Sequence, residues 1–156
     1  LEPLIHGGES TTIYRSGTPT VALACSLALA LDKAVTALPQ RVEYIRGLNT
    51  RLRAELSRYP KVRINSPEHA VPQILNLSVQ NVKGTVFQRE LDARGVCVSV
   101  KSACASDGLP SRAVFAVSRD RRNALSSWRI SLSHLTTEQD LTDFLQAFDA
   151  CYRELT

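Results

Sequence analysis

The chain has 156 residues, of which 44% are hydrophobic and 22% charged, and it carries a formal net charge of +4. That length suits one domain at about 150 residues per domain, and the apolar content excludes a disordered chain and is enough for a core. Four cysteines are too sparse for a disulfide-built miniprotein and have no C-x2-C zinc spacing, and the longest apolar run, Val21 to Leu31, is interrupted by Ser26 and ends at Asp32, short of the roughly 18 residues that cross a membrane.

Residues 1 to 20 read as loop, with Gly7-Gly8, Gly17 and Pro19. Residues 20 to 38 are alanine-rich and apolar on every side, the pattern of a buried helix. Pro39 is expected to break it. From Gln40 to Tyr59, Ile45, Leu48, Leu52 and Leu56 recur at helical spacing and predict a second, amphipathic helix closed by Pro60. Lys61 to Asn65 is a strand candidate. In Gln73 to Val79, Leu75, Leu77 and Val79 alternate with Ile74, Asn76 and Ser78, as a strand requires. Thr85 to Arg94 predicts a helix with Gly95 just past its end. Val96 to Val100 alternates again and predicts a strand.

A loop of small residues follows, from 101 to 111, and Pro110 to about Val117 predicts a short helix. In Ser127 to Leu132, Trp128, Ile130 and Leu132 share one strand face, and Arg129 and Ser131 the other. The last helix carries Leu141, Phe144, Leu145 and Phe148 as its stripe, with Thr136 as the expected cap and Gln139 three residues on. The order predicts an α/β or α+β sandwich, a short sheet packed against helices.

The basic residues argue for a solvated surface. Arg41, Arg46, Arg51, Arg53 and Arg58 are interleaved with Glu43 and Glu55, and Arg119-Asp120-Arg121-Arg122 carries its own acid. No aromatic ladder accompanies them, so a nucleic-acid partner is not expected. The chain has no methionine and begins at Leu1. Leu1-Glu2-Pro3-Leu4 has neither the basic nor the apolar region of a signal peptide. The sequence is expected to be the middle of a longer protein.

Chemistry concentrates at few positions. Cys25, Cys97 and Cys151 fall in predicted helices and a strand, where a thiol acts as a small hydrophobe. Cys104 sits in Ser102-Ala103-Cys104-Ala105-Ser106 with no bulky neighbour and with Lys101 three residues before it. A nearby cation raises the thiolate fraction, which nucleophilic sulfur chemistry requires. Arg129 is a candidate for gripping a carboxylate with two parallel hydrogen bonds; a surface ion pair is its alternative. Arg15-Ser16-Gly17-Thr18 offers a hydroxyl and a glycine turn before a helix start, a candidate anion site.

These pieces, in this order, resemble the C-terminal part of a cysteine desulfurase, a pyridoxal-phosphate (PLP) enzyme grouped with the class V aminotransferases. Leu4-Ile5-His6-Gly7-Gly8-Glu9 is similar to that family's P-L-x-H-G-G-G-Q-E loop, and Arg15-Ser16-Gly17-Thr18-Pro19 to its R-S-G-T-x segment. Ser102-Ala103-Cys104-Ala105-Ser106 is similar to its G-S-A-C-x-S loop. Arg129-Ile130-Ser131-Leu132 with Thr136-Thr137-Glu138 is similar to R-x-S-L-x-x-x-T-T-E. Val100-Lys101 stand where the family usually has Ser-Gly.

The resemblance implies a small C-terminal domain of a fold type I PLP-dependent transferase over residues 21 to 156, led in by the long helix, with residues 1 to 20 as an active-site loop belonging to a large domain. It implies that Cys104 attacks the sulfur of L-cysteine, becomes a persulfide and leaves L-alanine, for iron–sulfur cluster assembly or tRNA thiolation. Arg129 would bind the substrate carboxylate. Thr18 would contact the PLP phosphate across to the second subunit of a homodimer. A sulfur-acceptor protein and a cytoplasmic setting follow. The family's Schiff-base lysine lies upstream, and Lys33, Lys61, Lys83 and Lys101 sit in no matching motif, so the 156-residue chain alone is expected not to desulfurate cysteine. Cut from a large domain, residues 1 to 20 would lose their supports, and the helix from Val21 to Leu38 would expose apolar surface and promote self-association. Alternatives are a selenocysteine lyase, an aminotransferase, or a non-enzymatic sulfur carrier or interaction domain.

Overall fold

The structure, a computed structural model, describes residues 2–8, 12, 14–101 and 109–156. It divides into two compact units, Leu1–Pro39 and Gln40–Thr156. One helix, α1 (Val21–Leu56), has its first half in one unit and its second half in the other.

Pro39 therefore does not end a helix, as its side-chain ring would suggest, but lies inside one. Proline removes one backbone donor and crowds the carbonyl four residues back. That carbonyl belongs to Val35, which is 60% exposed, so water can take the freed acceptor. The all-apolar first half of α1 is also not buried within the chain. Among the described residues, Val21, Leu23, Leu27, Leu29, Leu31, Val35 and Leu38 are each 52–69% exposed; the exposure itself is what the resemblance implied for this stretch. By length and composition α1 is apolar enough to cross a bilayer, although no uninterrupted run reaches that length; core helices of soluble proteins pass the same test.

The second unit is a three-stranded antiparallel sheet with helices, an α+β arrangement. Its strands are β1 (Val62–Ile64), β2 (Ile74–Val79) and β3 (Ser127–Ser131), in the order β1-β2-β3. Leu77 pairs with Ile64 on one side and Trp128 on the other. The core face carries Leu75, Leu77, Val79, Trp128 and Ile130. Against it pack Ile45, Leu48, Leu52 and Leu56 of α1, Phe87 and Leu91 of α2 (Gly84–Asp92), and Leu141, Phe144, Phe148 and Cys151 of α5 (Glu138–Leu155). Phe87 stacks on Trp128 at 5.2 Å between centroids, and Phe148 lies 5.2 Å from Phe87.

Local signals explain most boundaries. Gly95, at φ 78°, closes α2: its N–H donates to Asp92 O, and the Val96 N–H reaches Leu91 O. Val96, Val98 and Val100 do alternate against the core, but the predicted strand there reduces to one bridge, Ser99 with Arg129. Two short helices, α3 (Arg112–Ser118) and α4 (Arg121–Ser126), lead into β3; the sequence reading had only the first. Helix α5 is capped by Thr137 rather than Thr136. The Thr137 hydroxyl accepts from the Asp140 N–H, and Asp140 accepts from the Thr137 N–H. The Thr137 N–H, and then its hydroxyl, hold the Asp140 carboxyl below the ordinary aspartate range.

Gly84 fixes how close α2 comes to β3, since a Cβ there would stand 2.5 Å from the Ser127 carbonyl oxygen. Gly84→Ala should therefore lower unfolding stability by about 1–3 kcal/mol in urea titrations. Asp140 favours the folded state while ionised, above the ordinary aspartate pKa. That contribution should disappear as pH falls through its depressed value; the loss should be smaller in Thr137→Ala, which keeps the backbone donor, and absent in Asp140→Asn, read as urea midpoints across acidic pH.

Candidate functional site

A cleft of about 930 Å³ opens on the sheet face opposite the core. It lies wholly within the second unit, between the sheet and α3. Alternation along the strands decides which side chains reach it. Arg63 leaves β1, Asn76 leaves β2 and Arg129 leaves β3 on this face, while their sequence neighbours Ile64, Leu77 and Trp128 turn to or toward the core. Arg53 of α1 holds one wall: its Nη1 and Nη2 donate to the carbonyls of Ser66 and Pro67 at 3.0 and 3.1 Å.

Arg129 sits on the floor. Its backbone is fixed by Ser99, with Arg129 N–H to Ser99 O at 2.7 Å and Ser99 N–H to Arg129 O at 3.1 Å. Its side chain has no ion pair or hydrogen bond among the described residues, and Nε is buried without an acceptor. A guanidinium held by its backbone and lacking an acceptor is a prepared anion site. Lys101, Arg112 and Arg63 line the same cleft, and no carboxylate does among the described residues. Arg63 faces Asp120 at 3.7 Å. Lys101 Nζ donates to the Leu109 carbonyl at 2.7 Å.

The other sequence candidates separate. Cys104, with residues 102–108, lies outside the described residues. Thr18 lies in the first unit, exposed, three residues before α1, and its hydroxyl has no partner among the described residues. The turn before it is shaped by Gly17 at φ 126° and by Arg15 Nη1 donating to Ser16 O at 3.2 Å. Cys25 and Cys97 are exposed, so neither is the buried hydrophobe expected. Cys151 is buried, and burial pushes its thiol pKa up while Arg94 pulls the other way.

Sequence reasoning missed Asn65, Asn76, Ser78 and Asn123, whose side chains form one hydrogen-bonded group beside the cleft. The available signal was the polar alternate face of β2.

Residues 5–144 match the family model described as Aminotransferase class-V. The chain belongs to the aminotransferase class-V family. Among curated members of the class-V family it is similar to the cysteine desulfurase IscS of Clostridium botulinum, 31% identical over 151 residues, 94% of this chain and 38% of that protein. It is also similar to the cysteine desulfurase IscS of Dictyoglomus turgidum, 31% identical, covering 99% of this chain and 40% of that protein. A solved NifS-like protein superposes with a TM-score of 0.81 at 29% identity, over 99% of this chain and 40% of its own. The chain thus spans about two fifths of the length of the relatives it matches.

For the PLP that the resemblance implies, the residues present fit its anionic contacts only. Thr18 offers a free hydroxyl beside a glycine turn, suited to a phosphate. Arg129 suits the carboxylate of an amino acid. Lys101, the one lysine lining the cleft, is engaged with Leu109.

Cysteine labelling should follow this burial. Iodoacetamide on the native chain should alkylate Cys25 and Cys97, whereas Cys151 should react only after denaturation, as read by peptide mass spectrometry.

Proposed function

We propose that this chain forms the part of a PLP-dependent cysteine desulfurase that binds the substrate carboxylate and carries the sulfur. The observation supporting this most directly is Arg129: a guanidinium without an acceptor among the described residues, on the floor of a cleft lined by cations. Lys101 and Pro110, which flank the segment containing Cys104 in sequence, both line that cleft. The relatives named cysteine desulfurase agree with this reading.

In this proposal Arg129 orients L-cysteine by gripping its carboxylate through two hydrogen bonds. The Cys104 thiolate attacks the substrate sulfur. The bond between that sulfur and the substrate Cβ breaks, the sulfur stays on Cys104 as a persulfide, and Cβ takes a proton to complete L-alanine. PLP, when bound, supplies the electron sink that makes this bond cleavage accessible. Thr18 holds its phosphate, from one subunit of a homodimer to the other. The persulfide then passes to a sulfur-acceptor protein serving iron–sulfur cluster assembly or tRNA thiolation, in the cytoplasm.

Cys104→Ser in the full-length parent should abolish sulfide release from L-cysteine while leaving PLP absorbance intact; undiminished release would remove the persulfide role. The 156-residue chain given PLP and L-cysteine should form no alanine catalytically, and turnover by it would contradict the assignment.

A further inference from the structure

Asn76 stands directly opposite Arg129 in the β2–β3 register, which places their Cβ atoms about 5 Å apart on the cleft face. Which end of its amide it presents is decided by one proton. The buried Ser78 hydroxyl donates its only hydrogen to the Asn123 carbonyl at 3.1 Å. A carbonyl can only accept, so whatever else meets Ser78 Oγ must donate to it. That group is the Asn65 amide, 2.8 Å away, and it is therefore Nδ2. The same Nδ2 lies 2.9 Å from the Asn76 side chain, so the Asn76 atom facing it must be the acceptor, Oδ1. Asn123 Nδ2 donates to Asn65 Oδ1 at 2.9 Å and closes the chain of bonds.

Nδ2 of Asn76 is thereby fixed as the disengaged end. It has no hydrogen-bond partner among the described residues, and it is not among the buried unsatisfied atoms, so it is open to the cleft. Two donor groups, the Arg129 guanidinium and the Asn76 amide, thus stand side by side with no acceptor among the described residues. An ionised carboxylate has about four lone-pair sites, and an arginine fork uses two of them.

We propose that Asn76 is a second carboxylate-binding residue: its Nδ2 donates to the same substrate carboxylate that Arg129 holds. This rests on the reading of Arg129 as the carboxylate site. The group formed by Asn65, Ser78 and Asn123 acts by position, holding the Asn76 amide in the one orientation that offers donors.

The test is a titration of the 15N-labelled chain with L-alanine at constant ionic strength, following the side-chain resonances of Asn76 Nδ2 and Arg129. Alaninamide, which lacks the carboxylate, is the control. L-alanine should shift both resonances and alaninamide neither. Asn76→Asp keeps the acceptor toward Asn65 but removes the donors; Asn76→Leu removes them without adding charge. Both should weaken binding by about tenfold or more, with the backbone amide spectrum otherwise unchanged. Loss of binding in Arg129→Ala together with full binding in Asn76→Leu would overturn the role of Asn76 alone. Full binding in Arg129→Ala, or no shift in the unaltered chain, would overturn the Arg129 reading and this proposal with it.

Discussion

Trp128 and Arg129 are neighbours in β3, and consecutive strand residues leave opposite faces of a sheet. Trp128 is fully buried, stacked on Phe87 and close to Phe144 and Phe148. A shift of one residue in register would bring the indole to the cleft and drive the guanidinium into the core. The first change forfeits about 2–3 kcal/mol of apolar burial, and the second leaves an unpaired charge in a low-dielectric interior at a cost of several kcal/mol. The register of β3 is therefore locked from its core side. This is how Arg129 can be held in place while its side chain makes no bond among the described residues: the aromatic cluster and the Ser99 bridge position it. Gly84 extends the same constraint, because α2 can bring Phe87 onto Trp128 only where no side chain meets the Ser127 carbonyl.

The elements with strict periodicity were legible before any coordinates. The stripes Ile45-Leu48-Leu52-Leu56 and Leu141-Phe144-Leu145-Phe148, and the alternations in β2 and β3, each report the face turned to the core, and those positions are buried apart from the half-buried Leu145; Ser78 and Ser127 on the other strand face are buried as well. Failures fall where the deciding partner is remote in sequence or the signal is too short. Helix α4 has six residues beginning Arg-Arg-Asn, and rests on the Asp120 carboxylate accepting from Arg122 and Asn123 N–H groups. Val96 to Val100 has the alternation of a strand but, among the described residues, only one bridge to another strand. Thr136 and Thr137 are equally suitable caps by residue type; Asp140 three residues after Thr137 decides between them. Arg129 was readable as an arginine off the apolar face. Asn76 was not readable as its companion, because that depends on which strand lies beside β3 and in what register.

Helix α1 makes the same point from the opposite direction. Its second half has one apolar stripe and therefore specifies one buried face. Its first half is apolar on every side, so its sequence specifies burial without naming a partner, and among the described residues it has none. Pro39 marks the change between the two regimes. The carbonyl that this proline leaves unpaired belongs to Val35, an exposed residue.

The chemistry of the cleft follows from the same accounting of donors and acceptors. Arg129 can only donate, and the Asn76 oxygen accepts from Asn65, which leaves the Nδ2 donors as the end of that amide turned to the cleft. An alcohol or an amide can accept here through one neutral oxygen, whereas an ionised carboxylate offers two charged oxygens with about four lone-pair sites. In the proposed site, preference for an acid over its amide would come from the charge of the carboxylate and its additional lone pairs. The orientation of the Asn76 amide traces back to the single proton of Ser78, a buried side chain two residues away on the same strand face.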